Sequence, residues 1–204
     1  GTAGFTAALG IMRMEENGLR AANGPVLVTG ATGGVGSLSI DILAKRGYHV
    51  VALTGKEAAK QYLLNLGARE VVMRQSLDLS KIKPLDKETW AGAVDNLGGD
   101  VLAWIVGAMK RGGTIASIGL AASMSLNTTV APFILRGVSL LGIDSGYIGE
   151  PYRSGVWQRL ASGLRPRHLE ALTQTVDFAK LPKVFNDFIR ARVKGRLIVN
   201  IAGE

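Results

Sequence analysis

Val26-Leu27-Val28-Thr29-Gly30-Ala31-Thr32-Gly33-Gly34-Val35-Gly36-Ser37 is the stretch on which the fold turns. Val26 to Thr29 is a short, apolar, β-rich run. A glycine loop follows, and from Ser37 to Lys45 the residues read as a helix closed by Gly47. A second apolar run, His49 to Leu53, completes a strand–loop–helix–strand unit. In that setting the loop gains a mechanism, because free N–H groups and the positive end of a helix face an anion. Gly33 and Gly34 let backbone approach a pyrophosphate with no Cβ in the way, and Gly36 lets the helix pack close to the strand. The plain alternative is a tight turn with no ligand. The strand before and the helix after favour the anion site.

Working outward, Phe5, Ala8, Leu9 and Met12 recur at helical spacing, so a helix is expected from Phe5 to Met14, ending near Asn17-Gly18. Asn23-Gly24-Pro25 is a turn. Downstream, the pattern predicts a helix over Glu57–Leu66 stopped by Gly67, strands at Glu70–Met73 and Gly92–Asp95, a helix over Val101–Met109 stopped by Gly112-Gly113, and a strand at Thr114–Ile118. Strands alternating with helices imply an α/β fold, a Rossmann-type doubly wound parallel sheet with helices on both faces. Beyond Gly119 the rhythm changes. Pro132 to Arg136 precedes a β-rich run at Val138–Ile143, helices are expected around Val156–Leu164 and Lys183–Arg192, and Leu197–Ile201 closes the chain as a strand.

The chain has 204 residues, 47% of them hydrophobic, which argues against disorder. Its 27 glycines are about twice the usual ~7% share and show no G-X-Y period, so they mark turns and close approaches. No cysteine is present, which removes disulfides, thiolate zinc sites and cysteine nucleophiles and permits a reduced, cytoplasmic setting. The net charge is +8, and the excess is C-terminal: residues 1–102 hold 11 basic and 10 acidic side chains, residues 103–204 hold 13 and 6. A basic surface attracts any phosphate, so charge alone does not choose among cofactor, nucleic acid and lipid. Neither nucleic acid nor a membrane is the expected partner, and no apolar run reaches the ~18 residues of a membrane span. Gly1-Thr2-Ala3-Gly4-Phe5 reads as the middle of a longer protein.

After the second strand an NAD-binding domain would usually place an acidic residue against the ribose hydroxyls. Thr54-Gly55-Lys56 stands there instead. A hydroxyl, a small residue and a cation accept a 2′-phosphate that a carboxylate would repel, so NADP(H) is the expected cofactor. Lys56 reads equally well as a solvated residue of the next helix, and is taken together with Arg74 after the third strand. Arg190, Arg192, Lys194 and Arg196 alternate into the last strand; a solvated edge is the reading for all but Arg196, which is expected at a phosphate.

Other chemistries lack their residues. The position four after Tyr48, Tyr62, Tyr147 and Tyr152 is Ala52, Leu66, Pro151 and Val156, so the Tyr-Lys pair of short-chain dehydrogenases is not encoded. The loop ends Gly36-Ser37 without the lysine of a P-loop, and there is no Gly-x-Ser-x-Gly elbow. His49 on a strand and His168 on a surface loop show no partners for a triad or a metal site, so no metal is expected.

Gly1-Thr2-Ala3-Gly4-Phe5-Thr6-Ala7, Val28 to Gly36, and Leu66-Gly67-Ala68 resemble the nucleotide-binding half of the medium-chain dehydrogenase/reductase superfamily, in its zinc-free quinone oxidoreductase-like branch. Trp90 to Asp95, Pro132 to Val138 and Gly142 to Ser145 resemble the NADPH-dependent acrylyl-CoA reductase group. The resemblance implies cofactor contacts at Thr32, Gly33, Gly34 and Val35 for the pyrophosphate and at Thr54, Gly55, Lys56 and Arg74 for the 2′-phosphate, with Leu120, Ile134, Ser145 and Arg196 completing the site. It implies residues 1–20 as a linking helix to an absent catalytic domain, 21–150 as the nucleotide domain, and 151–204 as helices and a strand returning toward the absent domain. It implies a homodimer through the strand at 138–143, and hydride transfer to an enoyl-CoA or quinone, with the catalytic residues outside this chain. A non-catalytic NADP(H)-sensing or dimerising module is the alternative.

Overall fold

The computed structural model of the chain describes residues 1–190 and 192–201. At its centre lies β1 (Val26–Val28), wholly buried, between β2 (Val50–Thr54) and β4 (Trp90–Asp95). β3 (Glu70–Met73) extends the sheet beyond β2, and β5 (Met109–Ser117) and β6 (Ser139–Gly142) extend it beyond β4. The order is β3-β2-β1-β4-β5-β6, with every pairing parallel. The chain winds outward from β1 to one side, returns, and winds outward to the other, which is the doubly wound dinucleotide-binding order with its switch point between β1 and β4.

Alternation along the strands builds two cores. Val26, Val28, Val50, Ala52 and Val94 join the core covered by α1 (Thr2–Glu16), α2 (Gly34–Lys45) and α3 (Lys60–Asn65). Leu27, Val51, Leu53 and Ala93 point the other way, into the core covered by α4 (Gly99–Gly107). A central parallel strand must be apolar on both faces, and this one is. The expected α/β sheet with helices on both faces is the fold observed.

After β5, α5 (Ala131–Arg136) leads to β6, and α6 (Tyr152–Ala161) lies on α1, where the Phe5 and Trp157 rings stand 5.1 Å apart. The short α7 (Leu169–Leu172) precedes β7 (Thr173–Asp177); α8 (Leu181–Ile189) then leads to β8 (Arg196–Asn200). β7 and β8 pair in parallel as a sheet of their own.

Several boundaries differ from expectation. Met109 opens β5 rather than closing a helix, and Gly112-Gly113 lies inside that strand, where Gly112 takes φ +66° and the register with β4 shifts between Trp90 and Gly92. The glycines there serve a kinked strand, not a helix stop. The helix expected from Glu57 begins as a 3-10 turn over Glu57–Ala59. The helix expected to end at Arg192 ends at Ile189, and Ala191 lies outside the described residues. His168 also has a partner after all: Asp41, fully buried on α2, accepts from the Arg167 and His168 N–H groups at 2.8 Å each and lies 2.9 Å from His168 Nδ1. That carboxylate pins the segment leading to β7 against α2.

Candidate functional site

The carboxyl ends of β1 and β4 are fastened by side chains. Thr29 Oγ1 donates to Asp95 Oδ1 at 2.7 Å and accepts from the Asn96 N–H at 2.9 Å, while Asn96 Nδ2 donates to the Thr29 carbonyl at 2.7 Å. Asp95 Oδ2 accepts from the Gly98 N–H at 2.8 Å. Burial pushes the Asp95 carboxyl up from its ordinary range, against the pull of these hydrogen bonds. This latch holds the switch point in one shape. In the sequence Asp95 reads only as the end of a strand; its signal is a carboxylate closing an otherwise apolar run.

The glycine loop doubles back on the first turn of α2. Gly33 is the N-cap, and its N–H donates to the Gly30 carbonyl at 2.9 Å, while Gly30 takes φ +55°. A Cβ at Gly36 would collide with that same Gly30 oxygen, so only glycine permits the contact. Ser37 Oγ donates to the Ala31 carbonyl at 3.0 Å, and Tyr62 from α3 donates to Ser37 Oγ at 3.0 Å. The loop is thereby held from below, with the first-turn amides of α2 left to face outward.

In front of it opens a cleft of about 510 Å³. Thr32, expected at the pyrophosphate, lines it together with Thr54, Gly55, Lys56 and Arg74, expected at the 2′-phosphate. Gly33, Gly34 and Val35 form the adjacent helix start, and the Arg196 guanidinium lies directly on Gly34. Leu120, Ile134 and Ser145 do not line this cleft. Leu120 follows β5 and is 61% exposed, beside Gly98 at the sheet's carboxyl edge; Ile134 in α5 is 73% exposed; Ser145 Oγ, just past β6, accepts a 2.9 Å hydrogen bond from Thr6 of α1. These three sit toward the β5 and β6 side of the switch point, outside the lining of the basic cleft.

Arg190, Arg192 and Lys194, expected on a solvated strand edge, line the cleft. They do not share a strand face, because Arg190 caps α8 and β8 begins only at Arg196. The intervening backbone is tied down instead: the Gly195 N–H donates to the Thr32 carbonyl, and Lys56 Nζ donates to the Val193 carbonyl, both at 3.0 Å. Five cations therefore line the cleft with no carboxylate among the lining side chains. Burial, and then the charge of Lys194, hold the Lys56 ammonium below the usual lysine range. An anion is the ligand such a site accepts.

The family model described as zinc-binding dehydrogenase matches residues 34–162. The chain belongs to that family. It is 46% identical over 203 residues to the acrylyl-CoA reductase AcuI of Ruegeria pomeroyi, covering 98% of this chain and 61% of that protein. Among solved structures, it superposes with a TM-score of 0.94 on Bacillus subtilis yhfP with NAD bound, at 47% identity, and with 0.94 on the Salmonella enterica yhdH oxidoreductase in complex with NADP, at 42% identity. Each alignment covers 98% of this chain and 61% of the relative, so the chain spans about three fifths of the length of the relatives it matches. Among the described residues no three His, Asp or Glu side chains converge as metal ligands, and the sequence contains no cysteine. No described helix is long and apolar enough to cross a membrane.

Proposed function

We propose that this chain holds NADP(H) for a reductase that passes hydride to an activated alkene such as acryloyl-CoA, or to a quinone. The observation that carries the cofactor is the cleft at the end of β2, where Thr54, Gly55 and Lys56 meet four further cations and no carboxylate. The residues present fit the group at the pyrophosphate too, since Gly33 and Gly34 open a helix and the Arg196 guanidinium, the far end of a flexible side chain, lies on Gly34. Its reduced nicotinamide would supply the hydride. The chain's residues bind and orient it: the α2 amides and Arg196 at the pyrophosphate, Lys56 and Arg74 at the 2′-phosphate, and Leu120, Ile134 and Ser145 toward the nicotinamide end. The Thr29–Asp95–Asn96 latch fixes the sheet edge on which that orientation depends.

The reading rests also on relatives named as acrylyl-CoA reductase and as an NADP-bound oxidoreductase. The reaction is proposed for a protein of the relatives' length, of which this chain spans 61%. Residues 1–20 are read as a link to its catalytic domain and residues 151–204 as the segment returning to it. Transfer without zinc, a cytoplasmic setting, and a homodimer in which β6, the edge strand, continues into a second copy belong to the same reading. Calorimetric titration with NADPH and NADH tests the cofactor. Tighter binding of NADPH, lost about tenfold in Arg74→Ala with NADH affinity kept, is expected; equal affinity for the two nucleotides refutes the reading. The substrate is tested by NADPH oxidation with acryloyl-CoA and with a quinone in the longer protein.

A further inference from the structure

We propose that Lys194, in the turn entering β8, is a specificity-determining residue: with Lys56 it forms a two-ammonium seat for the 2′-phosphate that separates NADP(H) from NAD(H). This rests on the nucleotide reading of the cleft given above. Lys194 is placed there by its neighbours on both sides. The carbonyl before it, at Val193, accepts from Lys56 Nζ at 3.0 Å, and the N–H after it, at Gly195, donates to the Thr32 carbonyl at 3.0 Å. Gly195 takes φ +60°, and a Cβ there would collide with the Leu172 carbonyl oxygen. The turn is thereby held on both sides, and Lys194 lines the same cleft as Lys56, just past β2, and Arg74, just past β3.

The pair has no counterion of its own. Among the described residues neither Lys56 nor Lys194 forms an ion pair with a carboxylate. Two like charges held near each other by backbone bonds, one of them partly desolvated, are unfavourable by themselves. Both side chains line the one cleft, and burial first, then the charge of Lys194, lower the Lys56 affinity for protons. A phosphate monoester reverses that balance: it brings close to two negative charges and three acceptor oxygens to two ammonium groups that line one cleft. A ribose hydroxyl brings neither, so the effect belongs to NADP(H) alone.

The test is titration of the 204-residue chain and its Lys194→Met variant with NADPH and with NADH, beside Lys180→Met. Lys180 is exposed and pairs with Asp177 in the same C-terminal unit, so its loss removes equal charge away from the cleft. Lys194→Met is expected to weaken NADPH about tenfold, near 1.4 kcal/mol, and to leave NADH within about twofold, while Lys180→Met leaves both within about twofold. Unchanged binding of NADPH to Lys194→Met, equal weakening of NADH, or equal weakening by Lys180→Met overturns the role of Lys194 while leaving the nucleotide reading intact. Wild-type protein that binds both nucleotides equally, or neither, overturns that reading and this proposal together.

Discussion

A methyl group added at Gly36 and one added at Gly55 meet different surroundings, although both glycines belong to the same cleft region. At Gly36 the new carbon would collide with the Gly30 carbonyl oxygen and lie 2.8 Å from the Ala31 Cα, both backbone atoms of a loop that cannot yield. At Gly55 the nearest atom is Arg74 Nε, 4.0 Å away. Gly36→Ala is therefore expected to cost on the order of 1–3 kcal/mol of stability, and Gly55→Ala to change it by less than about 0.5 kcal/mol; urea midpoints of the two variants measure both. Gly34→Ala lies between them. Its Cβ would enter the Arg196 guanidinium, the far end of a flexible side chain, so the fold should survive while nucleotide binding weakens.

Among elements, the junction of β1 and β4 carries a titration that can be read. Burial raises the Asp95 pKa, so the folded chain holds that proton more tightly than the unfolded chain does. Stability contributed by Asp95 then falls as pH rises from the ordinary carboxylate range of about 4 through the folded pKa, and is flat above it. The Asp95→Asn variant lacks this step. The stability of wild type minus that of Asp95→Asn, taken from denaturant melts across that range, should decline with rising pH; a difference that rises would contradict the burial assigned to Asp95. β1, β2 and β4 were legible in the sequence because apolar runs bounded by glycine have one interpretation in a parallel sheet. β7 was not, because Thr173-Gln174-Thr175-Val176-Asp177 is a mostly exposed strand that pairs, among the described residues, with β8 alone. Thr54, Lys56 and Arg74 were legible as a group because Thr54 ends β2, Lys56 lies two residues past it and Arg74 follows β3, whereas Arg192 and Lys194 reach the cleft through a turn tied to Thr32 and Lys56, far away in sequence. Alternation of basic residues predicts a shared face only where the backbone is extended throughout, and here it is not.

At the scale of the whole molecule, the cleft lies between two bodies of unequal security. The six-stranded sheet has two buried cores, while α8 has no buried residue and exposes Phe185, Phe188 and Ile189. What joins the β7–β8 unit to the glycine loop is the Gly195–Thr32 hydrogen bond, the Lys56–Val193 hydrogen bond and Arg196 on Gly34, all at the proposed phosphate positions. A cation at a helix N-terminus is unfavourable by itself, and an anion between the two turns repulsion into a bridge. NADPH should thus do more than stabilise the chain by mass action, about 2.7 kcal/mol at a hundredfold excess over Kd. Amide exchange is expected to slow in the loop at 29–37 and also in residues 193–200, with the second effect larger for NADPH than for NADH at equal saturation, and weakened by added salt. Slowing confined to the loop would place the C-terminal segment outside the site, and the five-cation cleft would then be a feature of the unliganded fold alone.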